Sequence, residues 1–313
     1  MKIHGIIPPL VTPLHSDGTL DLAATTSLLN HVIEGGVHGV FVLGTTGEGP
    51  NLAYKLRRQF VEHVVSQVAG RVPVIVGISD TSLSESLELA AFAHRSGADA
   101  VAFTPPYYFV PGEPELNDFV LRMAEGLEIP FFLYNMPGLT KVSLPQDAIE
   151  TGFSYPHCLG LKDSSGDLFY FKKIKRQIGD RNLSLLIGPE ELLAESLLAG
   201  GNGGINGGAN VFPAPYVKIY ELAQNGDFAG AALIQREVLE ISLRLFTIGR
   251  HGSRIIKGIK GTLEILGLAQ RHLASPFEGF KDNEMARVAE ALRQLVDREI
   301  LAHSVDRTPA LVA

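Results

Sequence analysis

The sequence is poor in cysteine, in charge and in long apolar runs, and each shortage excludes a class of protein. One cysteine, Cys158, in 313 residues rules out an intrachain disulfide and any zinc site built on thiolates, and it fits a reducing compartment. Charged residues make up 19% and hydrophobic ones 45%, which argues against disorder and for a large buried core. Lys and Arg are outnumbered by Asp and Glu, 27 to 34, so the net charge is −7 and a general binder of nucleic-acid backbone is not expected. No stretch approaches 18 or so uninterrupted apolar residues, so no transmembrane helix is expected. The opening Met1-Lys2-Ile3-His4-Gly5 has one lysine and a short apolar run broken by Pro8 and Pro9. That is not the pattern of a signal peptide, and the expectation is a soluble cytoplasmic protein. The ten histidines form neither His-x-His nor His-Glu-x-x-His, so no zinc site is expected.

Short apolar runs recur where longer ones are missing. They begin near residues 5, 39, 73, 100, 130, 158, 184 and 203. None alternates apolar with polar, as expected of parallel strands buried on both faces. Helical patterns lie between them. Leu83, Leu87, Ala90 and Ala91 share a face before Gly97, and Leu168, Phe171, Ile174 and Ile178 do so before Gly179. The spacing approaches the roughly 30 residues of a βαβ unit. The expected fold class is α/β, a (β/α)8 TIM barrel over residues 1–225 with a C-terminal helical appendage over 226–313. An open doubly wound sheet would want a Gly-rich turn after its first strand, and Pro8-Pro9-Leu10-Val11-Thr12-Pro13 stands there instead. In the appendage, helices are expected over Ala231–Phe246, Ile255–Leu266 and Asp282–Leu301.

Barrel enzymes carry their chemistry at the C-terminal ends of the strands. Lys162 follows an apolar run at such an end. A buried ammonium is costly, and a lysine that loses its proton there is a nucleophile for ketones. The competing reading is an ordinary ion pair with Asp163 or Glu48. Tyr134 ends the preceding strand and could pass a proton to or from Lys162; alternatively it packs the rim. Gly44-Thr45-Thr46-Gly47 offers backbone N–H groups and two hydroxyls suited to a carboxylate, or is a plain turn. Gly200 to Gly208 is either a phosphate cradle or, more commonly, close packing of strands 8 and 1. Lys172-Lys173-Lys175-Arg176 reads as a solvated helix face, and Cys158 as core. The segment from Gly249 to Arg254 either reaches a substrate or caps the next helix.

Taken together, Gly44-Thr45-Thr46-Gly47-Glu48, Pro106-Tyr107-Tyr108, Tyr134-Asn135-Met136-Pro137, Gly160-Leu161-Lys162-Asp163 and Gly203 to Asn210 resemble the dihydrodipicolinate synthase/N-acetylneuraminate lyase family. The resemblance runs from Gly5 to beyond Asn210. It implies a class I aldolase or lyase in which Lys162 forms a Schiff base with pyruvate or another 2-oxo acid. Thr45 and Thr46 would hold the carboxylate and Tyr134 would be the acid/base. Tyr108 would complete a proton relay with Thr45 and Tyr134 across a subunit contact. Gly47, Ser164 and Asn206 are read as further substrate contacts. No metal or organic cofactor is implied, and a homotetramer is. Leu139 stands where the synthases carry an Arg that clamps a second carboxylate, and an aliphatic side chain cannot do that. Glu190 and Glu191 match acidic residues that bind sugar hydroxyls in the lyases, but Gly207 replaces their Ser. These departures point to a 2-keto-3-deoxy sugar acid. The alternatives are dihydrodipicolinate synthase, N-acetylneuraminate lyase, a Schiff-base dehydratase and, from a different class, a non-catalytic 2-oxo acid sensor.

Overall fold

Each of the eight apolar runs becomes a strand. The computed structural model describes residues 2–297. The strands are β1 (Gly5–Ile6), β2 (Val40–Val42), β3 (Val74–Gly77), β4 (Ala100–Phe103), β5 (Phe131–Asn135), β6 (Cys158–Asp163), β7 (Ser184–Ile187) and β8 (Gly203–Gly204). All pair in parallel in the order β1-β8-β7-β6-β5-β4-β3-β2. Closure falls to the segment after β1. The Phe41 N–H donates to the Pro8 carbonyl at 3.0 Å, and the Leu10 N–H to the Phe41 carbonyl at 2.8 Å. Prolines suit this seam, because Pro8 is asked only for its carbonyl.

The strands are apolar throughout because both faces are covered. Ile7, Phe41, Ile75, Phe132 and Leu186 fill the barrel interior. Val40, Val76, Val101, Leu133 and Leu185 point outward against the helices. Those helices are α1 (Leu22–Glu34), α2 (Tyr54–Val68), α3 (Leu83–Ser96), α4 (Glu113–Gly126), the short α5 (Pro137–Thr140), α6 (Gln146–Phe153), α7 (Leu168–Ile178), α8 (Leu193–Leu198) and α9 (Pro213–Gln224). Their ends follow capping chemistry. The Asp167 carboxylate accepts from the Phe169 and Tyr170 amides at the start of α7, and Gly97 closes α3 at φ 91°. Lys172, Lys173 and Arg176 lie on the exposed face of α7, and Cys158 is buried.

One strand is irregular. Phe131 pairs with Cys158 but Phe132 pairs with Gly160, so Leu159 is an extra residue in β6. Gly160 has φ 137°, and a Cβ there would lie 1.8 Å from the Ser184 carbonyl oxygen. The bulge puts Leu159 among the interior side chains while Leu161, two residues on, faces the helices. The alternation is thereby reset and Lys162 turns inward. The glycines around β8 meet similar crowding. A Cβ on Gly203 would lie 2.0 Å from the Gly5 oxygen, and one on Gly208 would lie 1.9 Å from the Tyr216 hydroxyl. Gly203 therefore serves close packing of β8 against β1, rather than a phosphate cradle.

After the turn at Asn225–Asp227 come α10 (Phe228–Ile241), which runs on as a π-helix over Ser242–Phe246, α11 (Arg254–Ile265) and α12 (Asp282–Asp297). The part of the last expected helix beyond Asp297 lies outside the described residues. No helix among the described residues is long and apolar enough to cross a membrane. Two buried polar links join these helices to the barrel. Lys260 of α11 lies 2.5 Å from the Glu48 carboxylate, with side-chain exposures of 0% and 1%. Lys260 also donates to the His272 carbonyl at 2.6 Å, and Glu48 accepts from the Ala274 amide at 2.7 Å. In the second link, Glu190 accepts from the Gly208 amide at 2.7 Å and the Tyr216 hydroxyl at 2.8 Å. Gln235 of α10 donates to its carbonyl at 2.8 Å. Burial pushes the Glu190 carboxyl up to about 7, with Glu191 adding to it and the Gly208 and Tyr216 donors opposing.

Each link gives a prediction. Lys260→Met leaves the Glu48 carboxylate buried without its cation and is expected to cost about 3–5 kcal/mol in urea unfolding. A loss under about 1 kcal/mol would show that the pair is not a structural tie. Glu190 has a folded-state value above the unfolded one, so the native protein holds the extra proton between them. Stability is full below about 4.5, falls as pH rises, and levels off above about 7. Glu190→Gln removes this slope. The stability difference between wild type and variant should shift in favour of the variant from about pH 5 to about pH 8; a constant difference would be the contrary result.

Candidate active site

The site is set by register. Tyr134 of β5 and Lys162 of β6 are ladder partners, as are Asn135 and Asp163 one step further on. The second pair fixes the first. The Asn135 amide donates to Asp163 at 2.9 Å, and its oxygen accepts from the Leu144 amide at 3.0 Å. Asp163 also accepts from the Ser165 amide and hydroxyl. The Gly188 N–H donates to its backbone carbonyl at 2.7 Å. The Asp163 carboxylate is thus occupied on the outer side of the strand.

Lys162 is 3% exposed. Its Nζ lies 3.9 Å from the Tyr134 ring centroid and 4.5 Å from that of Phe41. It pairs with neither Asp163 nor Glu48, since their carboxylates go to Asn135 and Lys260. Burial pulls its pKa below the ordinary lysine value, with Tyr134 partly opposing. Burial pushes the Tyr134 phenol up, but Lys162, Thr45 and Ser164 together outweigh this and hold it below its ordinary value. Both groups thus lie below their ordinary values and within contact of each other, an arrangement suited to proton transfer between them.

Thr45 comes from the loop after β2. Its hydroxyl lies 3.3 Å from the Tyr134 hydroxyl. The loop turns tightly, with Leu43 and Glu48 both at φ 57°. The Thr12 hydroxyl donates to the Gly47 carbonyl at 2.7 Å, and a Cβ on Gly47 would lie 2.9 Å from the Leu10 oxygen. Thr46 is half-buried beside Thr45, with its hydroxyl about Gly207. Ser164 packs against Gly188 and reaches Tyr134.

A cavity of about 340 Å3 has Phe41, Thr45 and Tyr134 in its wall, while Lys162, Thr46 and Ser164 lie outside that wall, Lys162 behind the rings of Phe41 and Tyr134. The rest of the wall includes Tyr107, Met136, Leu139, Ile256 and Phe277. Lys162, Tyr134, Thr45, Thr46 and Ser164 are brought together as expected from the sequence. Several expected contacts are placed elsewhere. Glu190 spends its carboxylate on Gly208 and Tyr216, Glu191 accepts from the Ser242 hydroxyl at 2.5 Å, and neither lines the cavity. The two residues expected to meet substrate hydroxyls thus bond within the protein and stand outside the cavity wall. Matching letters fix a residue's place in the chain, but burial against α9 and α10 decided where the Glu190 carboxylate points, and Glu191 is an exposed residue bonded to Ser242. Asn206 is fully buried and donates to the Gly188 carbonyl at 3.0 Å, bracing the ends of β7 and β8. Tyr108 is 75% exposed and stacks edge-on against Phe109. It is Tyr107 that lines the cavity of its own chain.

The sequence reading missed Phe41, Met136, Ile256 and Phe277. Phe41 had a usable signal, since it lies on the interior face of β2 just before the Thr45 loop. Ile256 arrives from α11 and Phe277 from the loop between α11 and α12, and they had none. Gly252 and Ser253 also line the cavity, while Arg250 and Arg254 are exposed and outside its wall.

Comparison with known proteins agrees with this geometry. The 4-hydroxy-tetrahydrodipicolinate synthase of Methanopyrus kandleri is 34% identical over 296 residues, covering 94% of this chain and 97% of that protein. The solved dihydrodipicolinate synthase of Bacteroides thetaiotaomicron is 45% identical with a TM-score of 0.90, covering 94% of this chain and 99% of that one. YagE of E. coli K12, solved in complex with pyruvate, is 28% identical with a TM-score of 0.88, covering 94% and 98%. The model of the dihydrodipicolinate synthetase family matches residues 2–295. Proteins of this family work through a lysine Schiff base with pyruvate and need no external cofactor. With that match over nearly its whole length, the chain belongs to the dihydrodipicolinate synthetase family of aldolase-type lyases.

Proposed function

We propose that the protein is a class I aldolase that joins a pyruvate-type 2-oxo acid to an aldehyde, or cleaves the product, through an imine on Lys162. One observation carries the reading: a buried lysine with no carboxylate partner, packed on a tyrosine that is itself bonded to a threonine. The Nζ lone pair attacks C2 of the 2-oxo acid, and the oxygen leaves as water after proton transfer from Tyr134, giving the imine. Loss of a C3 proton gives the enamine, whose C3 attacks the aldehyde carbon. The new alkoxide takes a proton, and water then hydrolyses the imine to release a 4-hydroxy-2-oxo acid and free Lys162. The Thr45–Gly47 loop holds the carboxylate, and Thr45 passes protons between Tyr134 and the outside.

Tyr108 points away from its own cavity, which suits a residue that completes the relay in a second subunit of a homotetramer. On the same reading, residues 1–225 hold the chemistry, and the described part of the C-terminal region, residues 226–297, braces it. The 2-keto-3-deoxy sugar acid loses support, because Glu190 is buried against Gly208 and Tyr216 and Glu191 accepts from Ser242 away from the cavity. Leu139 keeps the synthase reaction in second place, since it offers a carboxylate nothing.

Borohydride reduction in the presence of pyruvate should add one pyruvyl group to Lys162, located by peptide mass spectrometry. An unlabelled Lys162 in protein that still turns over substrate would sink the mechanism. Tyr134→Phe should keep the fold by circular dichroism and lower kcat about 10²–10⁴-fold, whereas unchanged turnover would remove Tyr134 from the relay.

A further inference from the structure

The cavity wall carries information about the second substrate that the catalytic groups do not. Resting on the Lys162 imine reading, we infer that the aldehyde partner is apolar, an aliphatic or aromatic aldehyde of about benzaldehyde size, and neither a polyhydroxylated nor a carboxylate-bearing one.

Three observations carry this. First, the wall beyond Thr45 and Tyr134 is built from Pro50, Met136, Leu139, Ile256 and Phe277. Leu139 is 51% exposed and Phe277 40%, so apolar surface has been left uncovered around a concave site. Second, most polar side chains in the wall, Tyr107 and Ser253 apart, already make a hydrogen bond within the protein. The Thr104 hydroxyl donates to the Pro105 carbonyl at 3.0 Å, and the Thr140 hydroxyl to the Val142 carbonyl at 2.8 Å. The Ser79 hydroxyl oxygen accepts from the Thr104 amide at 3.0 Å, and the Asn51 amide donates to the Ser275 carbonyl at 3.5 Å. A chain of substrate hydroxyls entering here would give up hydrogen bonds to water for few replacements among Pro50, Met136, Leu139, Ile256 and Phe277. Third, charge is missing from the wall. Glu48 is the one charged residue in it, and its carboxylate is held by Lys260 and the Ala274 amide. No Lys or Arg lines it, the Lys162 amine lying behind Phe41 and Tyr134 and taken up by the first substrate, so a second carboxylate would be desolvated without a cation.

The chemistry needs nothing more from this wall. The enamine C3 supplies the electron pair, the aldehyde oxygen becomes the product 4-hydroxyl, and the apolar group of the aldehyde only has to be held.

The test is condensation of pyruvate with a series of aldehydes by the full chain, alongside borohydride trapping with pyruvate alone. From propanal to hexanal, kcat/KM should rise about fourfold per methylene, the equivalent of about 0.8 kcal/mol each. Benzaldehyde should exceed glyceraldehyde about a hundredfold. If the pyruvyl adduct forms but glyceraldehyde or aspartate semialdehyde outruns the apolar aldehydes, or none of these turns over, this inference is overturned while the imine survives. If no adduct forms, both fall. Leu139→Arg gives a second readout: kcat/KM for benzaldehyde should drop at least tenfold while that for succinic semialdehyde rises. An unchanged preference in the folded variant would deny the wall its part in selection.

Discussion

An amine that must sit in the dry interior of a barrel is the constraint from which the rest of the site follows. The nearest ring neighbours of Lys162 there are Phe41 and Tyr134, and neither repays in full the hydration an ammonium loses. A lysine in that position is driven toward its neutral form. The protein does not relieve this with a carboxylate, although two lie close in sequence or space. It ties Asp163 to Asn135 and Ser165 and gives Glu48 to Lys260. Diverting both anions leaves the amine without an anionic partner, and with a phenol as its main polar neighbour.

The helices after the barrel take part in the same arrangement. Lys260 reaches the far end of the Thr45 loop, so α11 both removes a competing carboxylate and anchors the turn that presents the Thr45 hydroxyl. Ile256, one turn earlier on α11, enters the cavity wall. One helix therefore acts on the chemistry from two sides, through a buried charge behind the loop and an apolar side chain in front of it.

Much of this was legible in the sequence, for physical reasons. Strands buried on both faces leave unbroken apolar runs, and all eight were visible. Lys162 and Tyr134 stood out because a charged and a phenolic group ended such runs. What could not be read was orientation and long-range pairing. Glu190 and Glu191 have the residue types of hydroxyl acceptors, yet Tyr216, Gly208 and Ser242 claim them, and no local pattern announces partners that far away. The tie between Glu48 and Lys260 spans most of the chain and leaves no period in it. Phe277 reaches the cavity from a loop with no pattern of its own.

The extra residue in β6 has a consequence beyond shape. Side chains of a strand alternate between two faces, so whether position 162 faces the interior depends on how many residues precede it in the strand. Leu159 supplies the odd one, and Gly160 makes room for it by having no side chain against Ser184. The inward aim of the lysine is thus a matter of counting, stored in chain length and in one glycine's missing atom. A shortening by one residue ahead of Leu161, with every named side chain of the site intact, would turn the nucleophile toward the helices. In this barrel an insertion or deletion in β6 is a change of active-site chemistry, even where an alignment of residue types would register none.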